Sequence, residues 1–146
     1  MINIKFKRLT ETAIVPTRGS AQAAGLDLYA DTEKDIRMFP GEVVEFFIGL
    51  ALEIPDGFFG AVYPRSGLAT RLGLRLSNCV GVIDSDYRGN IGVPLRNDSR
   101  KVVTVKAHER IAQIIIQECP YVVLTEAQEL SETKRGECGF GSTGRM

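Results

Sequence analysis

Apolar and polar residues alternate with a period of two along much of this chain. Ile2, Ile4 and Phe6 alternate with Asn3, Lys5 and Lys7, and Leu26, Leu28 and Ala30 with Asp27 and Tyr29. Leu50, Leu52 and Ile54 alternate again and stop at Pro55-Asp56-Gly57. A period of two separates residue classes onto the two faces of a pleated strand. Residues 42–48 follow a Pro40-Gly41 turn, residues 58–63 run up to Pro64, and residues 102–105, 110–116 and 121–124 are further strand-like runs. Val80 and Val82 stand across a polar turn from Ile91 and Val93, which predicts the two arms of a hairpin. No window sustains a period of 3.6; the best helical candidate is a turn or two at residues 66–72. The pattern predicts an all-β fold of roughly ten short strands, a sandwich, barrel or jelly roll.

Composition supports this and sets the size. Val, Ile and Thr fill a little under a quarter of the 146 residues, and 15 Gly and 6 Pro supply turns. One domain with a core fits that length. From Ser131 onward the text SETKRGECGFGSTGRM is rich in Gly, Ser, Thr and charge and cannot build a core. The expected division is a β domain over 1–130 and a flexible C-terminal arm over 131–146.

Charge narrows the partners. Lys plus Arg and Asp plus Glu are each 18, so no global basic field exists to hold a nucleic-acid backbone. No apolar run approaches the ~20 residues of a membrane span, and the alternating start has no signal-peptide core. The expectations are a cytoplasmic protein with no nucleic-acid and no membrane partner. Cys79, Cys119 and Cys138 form no C-x-x-C and accompany one His, which argues against structural zinc and for free thiols. Cys79 and Cys119 read as small buried hydrophobes.

Several segments carry candidate chemistry, each with a plainer alternative. Gly139-Phe140-Gly141-Ser142-Thr143-Gly144 matches G-x-G-x-x-G, but only Arg145 and Met146 follow, so the helix of a dinucleotide fold has no room. No Lys precedes Ser142-Thr143, which excludes a P-loop. Glycine amides, the hydroxyls, Arg135 and Arg145 still suit phosphate, and Phe140 suits a base face; the plainer alternative is a disordered tail. Arg65, Ser66 and Gly67 follow a strand stopped by Pro64, either an anion site at a helix start or a turn capped by Ser66. In Asn78–Gly89 (NCVGVIDSDYRG), Asp84 and Asp86 are turn residues, a water-activating base or a metal ligand. Asp27 lies in an apolar strand and must face solvent or meet donors. Gln113 interrupts RIAQIII, and His108 reads as a loop residue.

In order, AGLDLYA, PRSGLA, GVIDSDYRG, RIAQIII and RGECGFGSTG resemble the trimeric dUTPase family over nearly the whole chain from Ala24 to Gly144. The resemblance implies a homotrimer of β jelly rolls with active sites shared between subunits and an arm that closes over the nucleotide. It implies Mg²⁺-dependent hydrolysis of dUTP to dUMP and pyrophosphate, which limits uracil incorporation into DNA and supplies dUMP for thymidylate synthesis. It makes Asp84 the base for water attack on the α-phosphorus and places Tyr87 against the deoxyribose, leaving no space for a 2′-hydroxyl. Asn78, Val82, Ile83, Asp84 and Gly92 would read the uracil edge. Arg65, Ser66, Gly67, Gln113 and Arg135 would bind phosphates, Phe140 would cap the base, and Gly141, Ser142 and Thr143 would close on the phosphate end. Asp27 would touch Mg²⁺ only through water, the ion being held mainly by substrate phosphates.

The sequence departs from the family pattern at Cys138 and His108, where the family tends to have Gly. Two alternatives accompany the resemblance. One is a dCTP deaminase-like enzyme of the same fold, which would use a Glu where Asp84 stands. The other is a nucleotide-sensing interaction protein on the same scaffold.

Overall fold

The computed structural model describes residues 2–139. Eleven strands occur among them: β1 (Lys5–Arg8), β2 (Leu26–Tyr29), β3 (Ile36–Met38), β4 (Val43–Phe47), β5 (Leu50–Glu53), β6 (Phe58–Pro64), β7 (Leu74–Leu76), β8 (Gly81–Ile83), β9 (Gly92–Asn97), β10 (Val103–Val105) and β11 (Arg110–Glu118). All pairs are antiparallel. A four-stranded sheet has the order β2-β11-β6-β8, a three-stranded sheet has the order β4-β9-β7, and β1-β5 and β10-β3 are two-stranded ribbons. The all-β jelly-roll expectation holds.

Alternation decides which residues meet inside. Leu28, Val62, Ile111 and Ile114 come from the four-stranded sheet; Phe46, Leu74, Leu76, Val93 and Leu95 come from the three-stranded sheet. Met38, Ile48, Leu50, Ile91 and Val105 join them in one buried cluster. Asn97 is the buried polar residue among the described ones. Its amide donates to the Met38 and Lys101 carbonyls, and its side-chain oxygen accepts from the Ser99 N–H and hydroxyl. All its hydrogen-bonding groups are therefore engaged, as burial requires.

Four expectations need correction. The runs around Val82 and Val93 are not arms of one hairpin: β8 pairs with β6, while β9 pairs with β4 and β7. Alternation marks the buried face of each run and says nothing about its partner. Residues 121–124 form no strand; Tyr121 and Leu124 are 94% and 92% exposed, and no strand among the described residues pairs with them. Cys79 and Cys119 are exposed, as is Cys138. Cys79 sits in a turn at φ 64, and Cys119 lies just past the end of β11.

The helical candidate exists, but its main part, Leu68–Leu72, is a π-helix. Ser66 does not cap it through its side chain; the Thr70 hydroxyl donates to the Ser66 carbonyl instead. Gly67 has φ −64, so no special backbone freedom is used there.

Candidate functional site

β11 is the spine of the site, because it pairs with β2 on one edge and β6 on the other. Gln113 lies opposite Asp27 on β2 and opposite Tyr63 on β6. Its side-chain NH₂ donates to the Pro64 carbonyl at 3.1 Å, which ties it to the segment leading into Arg65. Gly25 permits this placement: a Cβ there would lie 2.9 Å from Gln113 Oε1.

Asp27 is held by donors. Its side chain is 13% exposed and receives Arg65 Nε at 3.1 Å on Oδ1 and Arg110 Nη1 at 3.0 Å on Oδ2. Arg65 also donates from Nη1 to the Arg110 carbonyl at 3.1 Å. Both arginines are held at fixed sites by one carboxylate, a charge-assisted arrangement. Arg110 escaped the sequence reading, and its spacing explains why. In a regular strand, residues three apart point to opposite faces. A register shift between Arg110 and Ala112 inserts one residue, so Ile111 and Ala112 are both buried and Arg110 joins Gln113 on one face. Ser66 and Gly67 are exposed beside this group. The space where a Cβ of Gly67 would stand is open to 4 Å.

A second group gathers at the other end of β6. Asn78, Val82, Ile83, Asp84, Tyr87 and Gly92 line one hollow of about 260 Å³. Glu45 and Pro94, neighbours across β4 and β9, complete its wall; neither belonged to the sequence-derived site. Tyr87 donates its hydroxyl to the Asn90 carbonyl at 2.9 Å, and its ring lies over Gly89. Asp84 is exposed and also edges a larger hollow of about 680 Å³ that includes Asp56, Asp86, Cys119 and Tyr121.

The two groups are separate within one chain. Gly60 pairs with Ile83, so Asp84 stands beside Phe59. Arg65 lies six positions further along the chain, roughly 20 Å away at strand spacing, and turns toward β2 rather than β8. Arg135 lies in an exposed turn, with Gly136 N–H donating to the Thr133 carbonyl and hydroxyl. Phe140, Gly141, Ser142 and Thr143 lie outside the described residues. Among the described residues, no group of three His, Cys, Asp or Glu side chains is placed to hold a metal. No helix among them is long and apolar enough to cross a membrane.

The fold and the two groups define an all-β protein with two arginines gathered on a carboxylate and a separate hollow edged by another carboxylate. The dUTPase family model matches residues 11–144. The chain is 46% identical to the human mitochondrial deoxyuridine 5'-triphosphate nucleotidohydrolase over 144 residues, covering 99% of this chain and 56% of that protein. It is 42% identical to the enzyme of the same name from Nautilia profundicola, covering 99% of this chain and all of that one. The chain thus spans little more than half of its human relative and the full length of its bacterial one. Among solved structures, the Staphylococcus bacteriophage 80alpha dUTPase with dUPNHPP superposes with a TM-score of 0.85 at 27% identity, covering 99% of each chain. The chain belongs to the dUTPase family.

Proposed function

We propose that this chain is a dUTP diphosphatase, hydrolysing dUTP to dUMP and pyrophosphate. Family membership and the relatives' shared name support the activity. The single structural observation that carries the mechanism is the separation of the two groups. The hollow suits a base and sugar, and the Arg65 cluster suits phosphates, but roughly 20 Å of β6 keeps Asp84 and Arg65 of one chain from one α-phosphate. A nucleotide between the hollow of one copy and the arginine cluster of another meets both. The homotrimer that the resemblance implies is such an assembly. The exposed Tyr121, Val122, Val123 and Leu124, which pair with no strand among the described residues, favour packing on a neighbouring copy.

In that complex Asp84 accepts a proton from water as the water oxygen attacks the α-phosphorus. The bond from phosphorus to the α–β bridging oxygen breaks, and pyrophosphate leaves with that electron pair. Arg65 and the backbone at Ser66 and Gly67 hold phosphate oxygens, and the open space at Gly67 lets a phosphate approach the chain closely. Phosphoryl transfer needs such positioning and charge stabilisation more than covalent help. Asn78, Val82, Ile83 and Gly92 read the base edge, and the Tyr87 ring, fixed through Asn90, blocks a 2′-hydroxyl. Arg135, Phe140, Gly141, Ser142 and Thr143 belong to residues 131–146, the proposed arm that closes over the bound nucleotide beyond the 1–130 domain.

The donor set fits a Mg²⁺ carried by the substrate. Among the described residues no three His, Cys, Asp or Glu side chains are grouped, and a triphosphate supplies its own oxygens. Asp27, with a lone pair left on each oxygen, would steady the ion only through water. When bound, the ion neutralises phosphate charge.

Supplying dUTP and dCTP separately tests the activity: pyrophosphate from dUTP is expected, and ammonia from dCTP would replace the proposal with a deaminase. Complementation tests the shared site. Asp84→Asn and Arg65→Gln chains, each inactive alone, should regain activity when unfolded together and refolded as mixed assemblies. No regain would place the whole site in one chain.

A further inference from the structure

The clamp around Asp27 has a member that the proposed mechanism does not use. We infer that Arg110 is a positioning residue for the phosphate site, acting through Asp27 to fix the direction of the Arg65 guanidinium. The inference rests on the diphosphatase proposal and names a further residue of that same site.

Three observations carry it. First, Asp27 links the two arginines with one oxygen each, Oδ1 to Arg65 Nε at 3.1 Å and Oδ2 to Arg110 Nη1 at 3.0 Å. Second, Arg65 is gripped twice, because its Nη1 also donates to the Arg110 carbonyl at 3.1 Å. A guanidinium has five N–H donors in a rigid plane. Contacts from two different nitrogens, Nε and Nη1, set the orientation of that plane, and no contact among the described residues engages the Nη2 donors. Third, the β-bulge at Ile111 exists at the cost of regular pairing, and its effect is to bring Arg110 to the face that carries Asp27 and Gln113.

Electrostatics gives the arrangement its sense. Asp27 alone beside Arg65 would form a neutral pair, a poor site for a polyanion. With Arg110 the cluster carries a net charge of +1, and the carboxylate orients Arg65 without cancelling the field. Without Arg110, Asp27 Oδ2 loses its donor, the carboxylate is free to rotate toward bidentate pairing with Arg65, and the guanidinium plane turns away from the phosphates.

The test compares Arg110→Gln, Arg65→Gln and the double variant by the affinity for dUpNHpp, by KM and kcat for dUTP, and by binding of deoxyuridine, which has no phosphate. Arg110→Gln should weaken dUpNHpp binding and raise KM about tenfold or more, misplaced contacts being costly, while deoxyuridine binding stays within twofold. In the Arg65→Gln background, the further loss from Arg110→Gln should shrink below about twofold, because the effect passes through Arg65. Arg110→Lys, which keeps the charge and one donor, should show the same dependence on Arg65 with a smaller loss, and it serves if the Gln variant does not fold. Undiminished loss in the Arg65→Gln background overturns the inference, as does an unchanged dUpNHpp affinity in Arg110→Gln. A wild-type chain that turns over no dUTP overturns the diphosphatase proposal itself, and the inference falls with it.

Discussion

Gln113 occupies the space that a side chain at Gly25 would need: a Cβ at position 25 would lie 2.9 Å from Gln113 Oε1 and 3.3 Å from its Cβ. The Ile114 carbonyl, at 3.4 Å, closes the other side. Gly25→Ala must therefore shift the Gln113 carboxamide that donates to the Pro64 carbonyl. We expect a loss of stability of about 1–3 kcal/mol, as for overpacking, and a several-fold rise in KM for dUTP. Denaturant unfolding and steady-state kinetics check the two effects, and an unchanged KM would remove Gln113 from the phosphate site.

Asp84→Asn keeps the size and the exposed position of the side chain but removes the proton acceptor. A general base contributes about 10²–10⁴ in rate. A fall of that order in kcat is expected, with dUpNHpp affinity within about threefold. Turnover near the wild-type rate would mean that another group activates the water.

Gly89→Ala tests the proposed contact of Tyr87 with the sugar. The added methyl would stand 2.6 Å from Tyr87 Cζ and 2.9 Å from Cε2, so the ring must swing away. Discrimination between dUTP and UTP, measured as the ratio of kcat/KM values, should fall by tenfold or more, since loss of a steric barrier of about 1.4 kcal/mol corresponds to that factor. A ratio that does not move would free Tyr87 of the sugar-gating role.

His108 is held at φ 56, a left-handed conformation that costs a residue with a Cβ about 1–2 kcal/mol. Its Nδ1 is also buried with no hydrogen-bond partner. Glycine removes both penalties and adds about 0.5–1 kcal/mol of backbone entropy loss. His108→Gly should raise the Tm by about 2–4 °C, with kcat unchanged. A lower Tm would show that the imidazole packs better than its geometry indicates.

Asp98 links β7 to β9 by receiving Arg75 Nε and, at 2.8 Å, Arg96 Nε. The hydrogen bond from Arg75, then that from Arg96, holds its carboxyl below the ordinary aspartate range. A carboxyl lowered in the folded state stabilises above about pH 4, where the unfolded form is already ionised. That contribution disappears as the pH falls through the lower folded-state value. Asp98→Asn should therefore destabilise slightly at neutral pH and make acid unfolding below pH 4 less steep. An acid limb identical to wild type would assign no pH dependence to this pair.

Most strands were legible because a period of two survives in the letters: Leu28 and Ala30 are buried as their alternation predicted, and Pro55-Asp56-Gly57 ends β5 where expected. Partnership was not legible. Val82 and Val93 show the same pattern whether their strands pair or part, so the expected hairpin became strands of two sheets. Tyr121–Leu124 has the composition of a strand, but it pairs with no strand among the described residues, and composition says nothing about pairing. Asp84, Tyr87 and Gly92 were found together in one hollow because they lie close in sequence. Arg110 was invisible because its alignment with Gln113 depends on a bulge that no local signal announces. Glu45 and Pro94 were missed for a related reason, since they reach the hollow through register across β4 and β9.

The parting of β8 and β9 sets the hollow between two sheets. One wall belongs to the sheet of β6 and β11, the other to the sheet of β4 and β7, and Val62, Ile91 and Val93 from both sides are buried in the core that joins the two sheets. The hollow works as a calliper whose opening is fixed by the thickness of the hydrophobic core. If the proposed base occupies the hollow, aliphatic core residues as well as the lining take part in setting the room for one more methyl on its ring.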